Sequence, residues 1–227
     1  TGYRTILSDD ASTGNDFQTP RGLHFDSNSN SLYVVDSGSD SLIQVDLSTG
    51  TRTYLANNSS PGTDFKNPEG LCVDTGLNEA YVVDSTLNAL LKVSLADGTR
   101  TALSDATTGS GPDLLAPKGI VLDAPNNRFL VSVAGQDALI AVNRSNGNRT
   151  ILSQVTLGNG LKFDLNYDVA LDLPNNRAIV VDGGWDALFA VNLNPGTRTI
   201  LSDNNGIGTY DATFGSPRSI AAAWWNP

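Results

Sequence analysis

The sequence predicts an all-β fold, a β-propeller of four-stranded antiparallel blades, with four complete blades and one partial blade in this chain. Three observations predict it. An Arg-Thr pair following a turn recurs at Arg4, Arg52, Arg100, Arg149 and Arg198, at spacings of 48, 48, 49 and 49 residues. Three further short apolar segments repeat in step with it. Clusters of Gly, Asn, Ser and Pro separate all of these runs. Self-similarity at such a period is the mark of a repeat architecture, and short β-rich runs between turn signals read as antiparallel strands.

Each strand can be placed in order. Strand a follows a Pro in most copies and reads Arg21–Asp26, Glu69–Asp74, Lys118–Asp123 and Tyr167–Asp172. Strand b contains Leu32–Asp36, Ala80–Asp84, Phe129–Val133 and Ala178–Asp182. Strand c contains Leu42–Leu47, Leu90–Leu95, Leu139–Arg144 and Leu188–Leu193. Strand d begins at the repeated Arg. Strands a to c are nearly continuous apolar runs, as expected of sheets covered on both faces. One such sheet cannot bury both faces alone, so several must stack around an axis. The blade units are residues 21–56, 69–104, 118–153 and 167–202. An apolar residue three before the Pro position (Phe17, Phe65, Leu114, Phe163, Phe214) is expected to plug the space between blades. No segment keeps a helical period for three turns.

A lone strand d (Arg4–Ser8) and a lone strand a (Arg218–Ala223) flank the four sets and make the partial blade. Its b–c hairpin is missing, so a strand-completing segment or a neighbouring subunit is expected to supply it. Closing five blades takes about 20 further residues and six takes about 70, at ~48 per repeat. With no Met and a Thr at position 1, the sequence reads as a portion of a longer product.

The net charge is −10. An acidic surface repels phosphate backbones, which argues against a nucleic-acid partner. No apolar run approaches the ~20 residues of a membrane span. The single cysteine, Cys72, lies in an apolar strand and is read as a small buried hydrophobe.

The first positions of the a strands are Arg21, Glu69, Lys118, Tyr167 and Arg218. At a channel mouth they form a candidate binding set for a small anion or carboxylate. The bland reading is charge balance: hairpin register would set Arg21 opposite Asp36, Glu69 opposite Asp84 and Tyr167 opposite Asp182, and Lys118 would reach Glu69. Glu69, Asp36, Asp84 and Asp182 are candidate oxygen ligands for Ca²⁺, against a role as turn-capping residues. The only histidine, His24, sits inside strand a among apolar residues and reads as packed. No nucleophile elbow or P-loop is present. The regularity of the strand-d Arg argues for a structural role, such as pairing with acids on the outer surface.

The motif Pro-x-Gly-apolar-x-apolar-Asp (as in Pro68–Asp74), then apolar-Tyr-Val-Val-Asp (as in Ala80–Asp84), then a Leu-x-x-Val strand and a Gly turn, resembles NHL-type propeller repeats. It is also similar to the six-bladed group of gluconolactonase-like and strictosidine-synthase-like proteins. The resemblance covers nearly the whole chain. It implies a propeller that can serve as a binding module, a hydrolase or a lyase. A gluconolactonase-like enzyme implies a divalent ion held by Glu and Asn/Asp; Glu69 matches the Glu, while the other positions hold Arg, Lys or Tyr. A streptogramin-lyase-like activity implies a His with a Glu or Lys, here His24, Glu69 and Lys118. The expected function is a secreted or periplasmic, non-enzymatic scaffold, without a cofactor, that binds a small ligand or a protein at the mouth. The alternative is a metal-dependent, lactonase-like hydrolase or a lyase that uses the channel.

Overall fold

The computed structural model describes residues 5–9, 13–205 and 213–221; Arg4, Trp224 and Trp225 lie outside them. Four sheets follow one another. The first holds β1 (Pro20–Asp26), β2 (Ser31–Asp36), β3 (Ser41–Asp46) and β4 (Arg52–Ala56). The second holds β5 (Pro68–Asp74), β6 (Glu79–Asp84), β7 (Ala89–Ser94) and β8 (Arg100–Ser104). The third holds β9 (Pro117–Asp123), β10 (Arg128–Val133), β11 (Ala138–Asn143) and β12 (Arg149–Ser153). The fourth holds β13 (Asn166–Asp172), β14 (Arg177–Asp182), β15 (Ala187–Asn192) and β16 (Arg198–Ser202). Strand order within each sheet is chain order, and the sheets are antiparallel. Among the described residues the other regular elements are three short 3-10 turns, at Ala124–Asn126, Ala134–Gln136 and Leu173–Asn175.

Turn chemistry explains the hairpins. Each a–b turn ends on an Asn in the left-handed region: Asn30, Asn78, Asn127 and Asn176, with φ of 49, 56, 49 and 50°. Each b–c turn ends on Asp40, Asn88, Asp137 or Asp186 in the same region. Asn and Asp tolerate this conformation better than other residues with a Cβ. The c–d turn uses Gly instead (Gly50, Gly98, Gly147, Gly196), all at positive φ. Asn is not enough here, because a Cβ on Gly98 would strike the Leu55 carbonyl oxygen of the preceding blade. The glycine therefore also sets the distance between blades.

The chain divides into two compact units, Thr1–Ala102 and Leu103–Pro227. In the first, Tyr33, Val35 and Leu42 on one sheet pack against Phe65, Leu71, Val73, Val82, Leu91 and Val93 on the next. In the second, Leu130, Leu139 and Ala141 pack against Phe163, Val169, Leu171, Val180, Phe189 and Val191. Phe65 and Phe163 are fully buried, and each contributes roughly 1.5–3 kcal/mol by transfer from water. They plug the space between sheets as expected. The first strands of neighbouring sheets also lie side by side, β1 with β5 and β9 with β13. Gly22 permits this, since a Cβ there would meet the Glu69 carbonyl and the Gly70 Cα.

The two flanking strands differ from expectation. Thr5–Ser8 and residues 218–221, the described parts of those segments, are irregular backbone; 222 and 223 lie outside the described residues. A strand is defined by its ladder, and neither segment has strand pairing among the described residues. Thr5–Ser8 nonetheless occupies the place of a strand d. Ser8 Oγ donates to the Gly50 carbonyl at 2.7 Å, as Ser104 Oγ does to Gly147 (2.7 Å) and Ser153 Oγ to Gly196 (2.6 Å).

Candidate functional site

The register at the start of strand a is offset by one residue from the expected one. Asp36 pairs with Pro20 rather than Arg21, Asp84 with Pro68 rather than Glu69, and Asp182 with Asn166 rather than Tyr167. In the third sheet Val133 likewise pairs with Pro117. A β-bulge follows in every sheet. Between Pro68 and Gly70 the extra residue is Glu69, and between Asn166 and Asp168 it is Tyr167. Arg21 and Lys118 lie in the corresponding shifts. Pro suits the first position of the strand, where its missing N–H costs no ladder bond. The bulge frees the following side chain from the alternation of the pleat and re-aims it.

The same position therefore carries Arg, Glu, Lys and Tyr on four similar frames. Arg21 is exposed, and its Nε donates to Ser37 Oγ at 3.2 Å, not to Asp36. Glu69 is half-buried and accepts from Asn67 Nδ2 (3.1 Å) and Ser85 Oγ (3.3 Å). Lys118 and Tyr167 are half-buried. The Arg218 guanidinium lies 4.6 Å from the Tyr167 ring centroid, a cation–π contact. In the first unit Arg21 and Glu69 thus start adjacent strands; in the second, Lys118 and Tyr167 do, with Arg218 stacked on Tyr167.

The three aspartates at the end of strand b are fully buried. Asp36 accepts the backbone N–H of Gln18, Thr19, Gly38 and Ser39 at 2.7–3.0 Å. Asp84 accepts those of Lys66, Asn67, Thr86 and Leu87 at 2.8–3.0 Å. Asp182 accepts those of Asp164, Gly184 and Trp185. Each carboxylate ties the d–a loop to the b–c turn and caps that turn. Burial opposes ionisation of Asp36, but its four N–H donors outweigh this and hold the group below the usual carboxylate range. In Asp182 burial wins and the pKa is raised. These oxygens are committed to the backbone, and among the described residues no group of three His, Cys, Asp or Glu is placed to hold a metal ion.

The four described strand-d arginines are buried, and the expected pairing with outer acids is made by Arg52 and Arg100 alone among them. Arg100 Nε donates to the Thr63 carbonyl (2.6 Å), Nη1 to that of Asn57 and Nη2 to that of Ser60 (3.0 Å), with the guanidinium 5.0 Å from the Phe65 ring centroid. Arg52 and Arg100 also reach Asp16 and Asp64 at 3.0 and 3.4 Å. Arg149 and Arg198 rely on carbonyls and a Ser hydroxyl in place of an acid. Each described arginine knots the preceding d–a loop, and Arg52, Arg100 and Arg198 also stand on the rings of Phe17, Phe65 and Phe163, while Leu114 holds the plug position before Arg149.

Asp168 is a group that the repeat pattern did not single out. It fills the slot that Gly22, Gly70 and Gly119 occupy in the other sheets, and that substitution was its only sequence signal. Its Oδ2 accepts from Ser219 Oγ (2.9 Å) and the Ile220 N–H (3.0 Å), and Oδ1 from its neighbour Val169 N–H (2.9 Å). It therefore tethers residues 219 and 220. Burial raises its pKa, against the pull of these hydrogen bonds. A folded-state pKa above the unfolded one contributes stability that is present at low pH and lost as pH rises through the raised value. Asp168→Asn should thus gain on the wild type between about pH 4 and about pH 7 in urea denaturation. An unchanged gap between the two proteins across that range contradicts the assignment.

His24 is half-buried, and burial lowers its pKa, with Asp26 partly offsetting the shift. Cys72 is buried, as read from its strand.

These sheets are propeller blades. By sequence, neither a protein family nor a curated protein matches the chain. By structure it is similar to a chain of a nidogen–laminin complex, with a TM-score of 0.68 and 23% identity over 83% of this chain and 65% of that one. It is also similar to a streptogramin B lyase (TM-score 0.57, 14% identity, 80% of this chain and 53% of that one). A third likeness is to virginiamycin B lyase from Staphylococcus aureus (TM-score 0.59, 13% identity, 82% and 56%). The chain spans between about half and two thirds of the length of these structures. At such identities the likeness establishes the β-propeller fold.

Proposed function

We propose that the chain is a recognition scaffold: a non-enzymatic, NHL-type propeller, extracellular or periplasmic, whose strand-a bulges present the side chains that hold a protein or small-ligand partner. One observation carries this reading. Across the four sheets the frame is repeated with little change, while the bulge position that the frame presents varies as Arg21, Glu69, Lys118 and Tyr167. A varied residue on a rigid, repeated frame is how binding surfaces are built on folds that host many functions. Arg218 stacked on Tyr167 adds a cation and an aromatic face, both favoured at interfaces. The nidogen chain was solved in complex with laminin, which makes a protein partner the first choice.

The test compares proteins captured by the wild type and by a variant with Arg21, Glu69, Lys118 and Tyr167 all replaced by Ala. A control variant carries Thr49→Ala and Thr99→Ala in the c–d turns. The expected result is a captured set lost from the bulge variant and kept by the control. Capture indifferent to the bulge residues overturns the proposal. So does ring opening of a streptogramin B or hydrolysis of a lactone with added Ca²⁺, followed by mass spectrometry, that the bulge variant loses.

A further inference from the structure

An Asn-Gly step carries a chemistry of its own. The Gly nitrogen can close on the carbonyl carbon of the Asn side chain, because Gly has no Cβ to hinder the approach. The sequence holds three such steps: Asn146-Gly147, Asn159-Gly160 and Asn205-Gly206, the last running outside the described residues. The two described steps differ in how they are held. In the first, Asn146 Oδ1 accepts the Asn148 N–H at 3.0 Å, and the Gly147 N–H donates to the Asn143 carbonyl at 2.9 Å. Gly147 is also buried. In the second, both residues are exposed. Among the described residues, neither the Asn159 side chain nor the Gly160 N–H has a hydrogen-bond partner.

The Asn159-Gly160 step also sits at a repeated junction. The Asn159 carbonyl accepts the Arg198 N–H at 2.7 Å. The carbonyls of Thr13, Pro61 and Ser110 accept those of Arg52, Arg100 and Arg149 in the same way, at 3.0, 3.0 and 2.6 Å. A Gly follows each of the four, with φ between 102 and 112°. Four equivalent steps thus fasten the d–a loops to the strand-d arginines. Asn159 alone among them brings an amide that can cyclise.

We propose that Asn159 is a self-modification site, which turns to isoaspartate in the folded protein and thereby loosens the Arg198 knot. The Gly160 nitrogen attacks Asn159 Cγ. A new C–N bond forms, the bond from Cγ to the side-chain nitrogen breaks, and ammonia leaves with the Gly160 proton. Water then opens the cyclic imide. Opening at Cγ gives aspartate; opening at the Asn159 backbone carbonyl gives isoaspartate. The net change is one water in, one ammonia out and one carboxylate gained. In isoaspartate the main chain runs through Cβ and Cγ and is longer by one methylene. The carbonyl that held the Arg198 N–H becomes a free carboxylate. The junction has no room for the extra methylene, since even a Cβ on Gly160 would stand 2.1 Å from the Arg198 carbonyl oxygen. The next two carbonyls, Gly160 on Nη2 (3.4 Å) and Leu161 on Nε (2.8 Å), are displaced with the chain.

The test is incubation of the 227-residue chain at mildly alkaline pH. Peptide mapping by mass spectrometry follows, with electron-transfer fragmentation to separate isoaspartate from aspartate. In the folded chain Asn159 should convert at least tenfold faster than Asn146, whose local structure must open first. In urea the two should convert at similar rates. Asn159→Ser installs the residue that the third sheet carries, Ser110, and should keep the loop unmodified. The Arg198 amide should exchange at least tenfold faster in the isoaspartyl protein, isolated by chromatography, than in incubated Asn159→Ser. Three results overturn the proposal. One is a folded chain in which Asn146 converts as fast as Asn159. Another is an Asn159 that survives in the folded chain while it converts in urea. The third is an Arg198 amide that keeps its protection in the isoaspartyl protein.

Discussion

Arg198→Ala should lower the unfolding free energy by about 3–5 kcal/mol, the largest loss among the repeated arginines. The guanidinium is buried, with Nε donating to the Leu161 carbonyl (2.8 Å). Nη1 donates to Ser153 Oγ (2.5 Å) and to the carbonyls of Gln154 (2.8 Å) and Leu157 (3.1 Å). Nη2 reaches those of Gly158 (3.3 Å) and Gly160 (3.4 Å). The cation also stands 5.4 Å from the Phe163 ring centroid. Truncation leaves these carbonyls facing a void. Each buried acceptor left without a donor costs about 1–3 kcal/mol, and water entering the space recovers part of the sum. Lys at this site keeps the charge but not the planar fork, so Arg198→Lys should recover less than half of the loss.

The series provides an internal check. Arg52 makes a thinner knot: Nη2 reaches the Asp9 carbonyl (2.8 Å) and Asp16 (3.0 Å), while Nε and Nη1 are buried without a hydrogen-bond partner among the described residues. Arg52→Ala should therefore cost no more than about 1–2 kcal/mol, since it also removes two unsatisfied donors. Urea denaturation of the two variants decides the matter. Equal losses, or a loss below about 1 kcal/mol for Arg198→Ala, contradict the role assigned to the knot.

The blades were legible because each local signal has a direct physical cause. Asn30 and Asn78 mark their turns because the left-handed conformation there favours Asn, and the apolar runs mark strands because both faces are covered. The bulge was not legible. The Pro–x–Gly spacing is the same whether x stands in the ladder or out of it, and only the pairing of Asp84 with Pro68 reveals that Glu69 is the extra residue. For the same reason the expected pairing of Arg21 with Asp36 gave way to the bond with Ser37. Asp36, Asp84 and Asp182 read as turn caps or as metal ligands, since both uses want a carboxylate at a strand end. The capping bonds come from backbone N–H groups, which have no sequence signature. The strand-d Arg likewise repeats in the sequence, but its burial beneath a loop follows from tertiary packing against Phe65 and Phe163.

Asp84→Val should cost about 3–5 kcal/mol and loosen two loops at once. Val removes every acceptor oxygen and is the residue that the third sheet carries at the matching position, Val133. Four backbone donors lose their acceptor: Lys66 and Asn67 in the d–a loop, Thr86 and Leu87 in the b–c turn. The third sheet makes the same junction with Val133, so Val itself is acceptable at the position. There the backbone compensates: the b–c turn is a 3-10 turn, Ala134–Gln136, and Gly135 N–H donates to the Leu115 carbonyl at 3.0 Å. The second sheet keeps Ser85 N–H on the Asn67 carbonyl (3.1 Å) but gives the four other donors to Asp84. Asp84→Asn retains one acceptor oxygen and should fall between wild type and Asp84→Val. The converse change, Val133→Asp, buries a carboxylate where no set of donors awaits it and should also destabilise. Hydrogen exchange localises the effect: the amides of Asn67 and Leu87 should exchange at least tenfold faster in Asp84→Val, while those of the third sheet keep their protection. If those two amides keep wild-type protection, or if Asp84→Val unfolds within about 1 kcal/mol of the wild type, the aspartate is not the clasp between these loops.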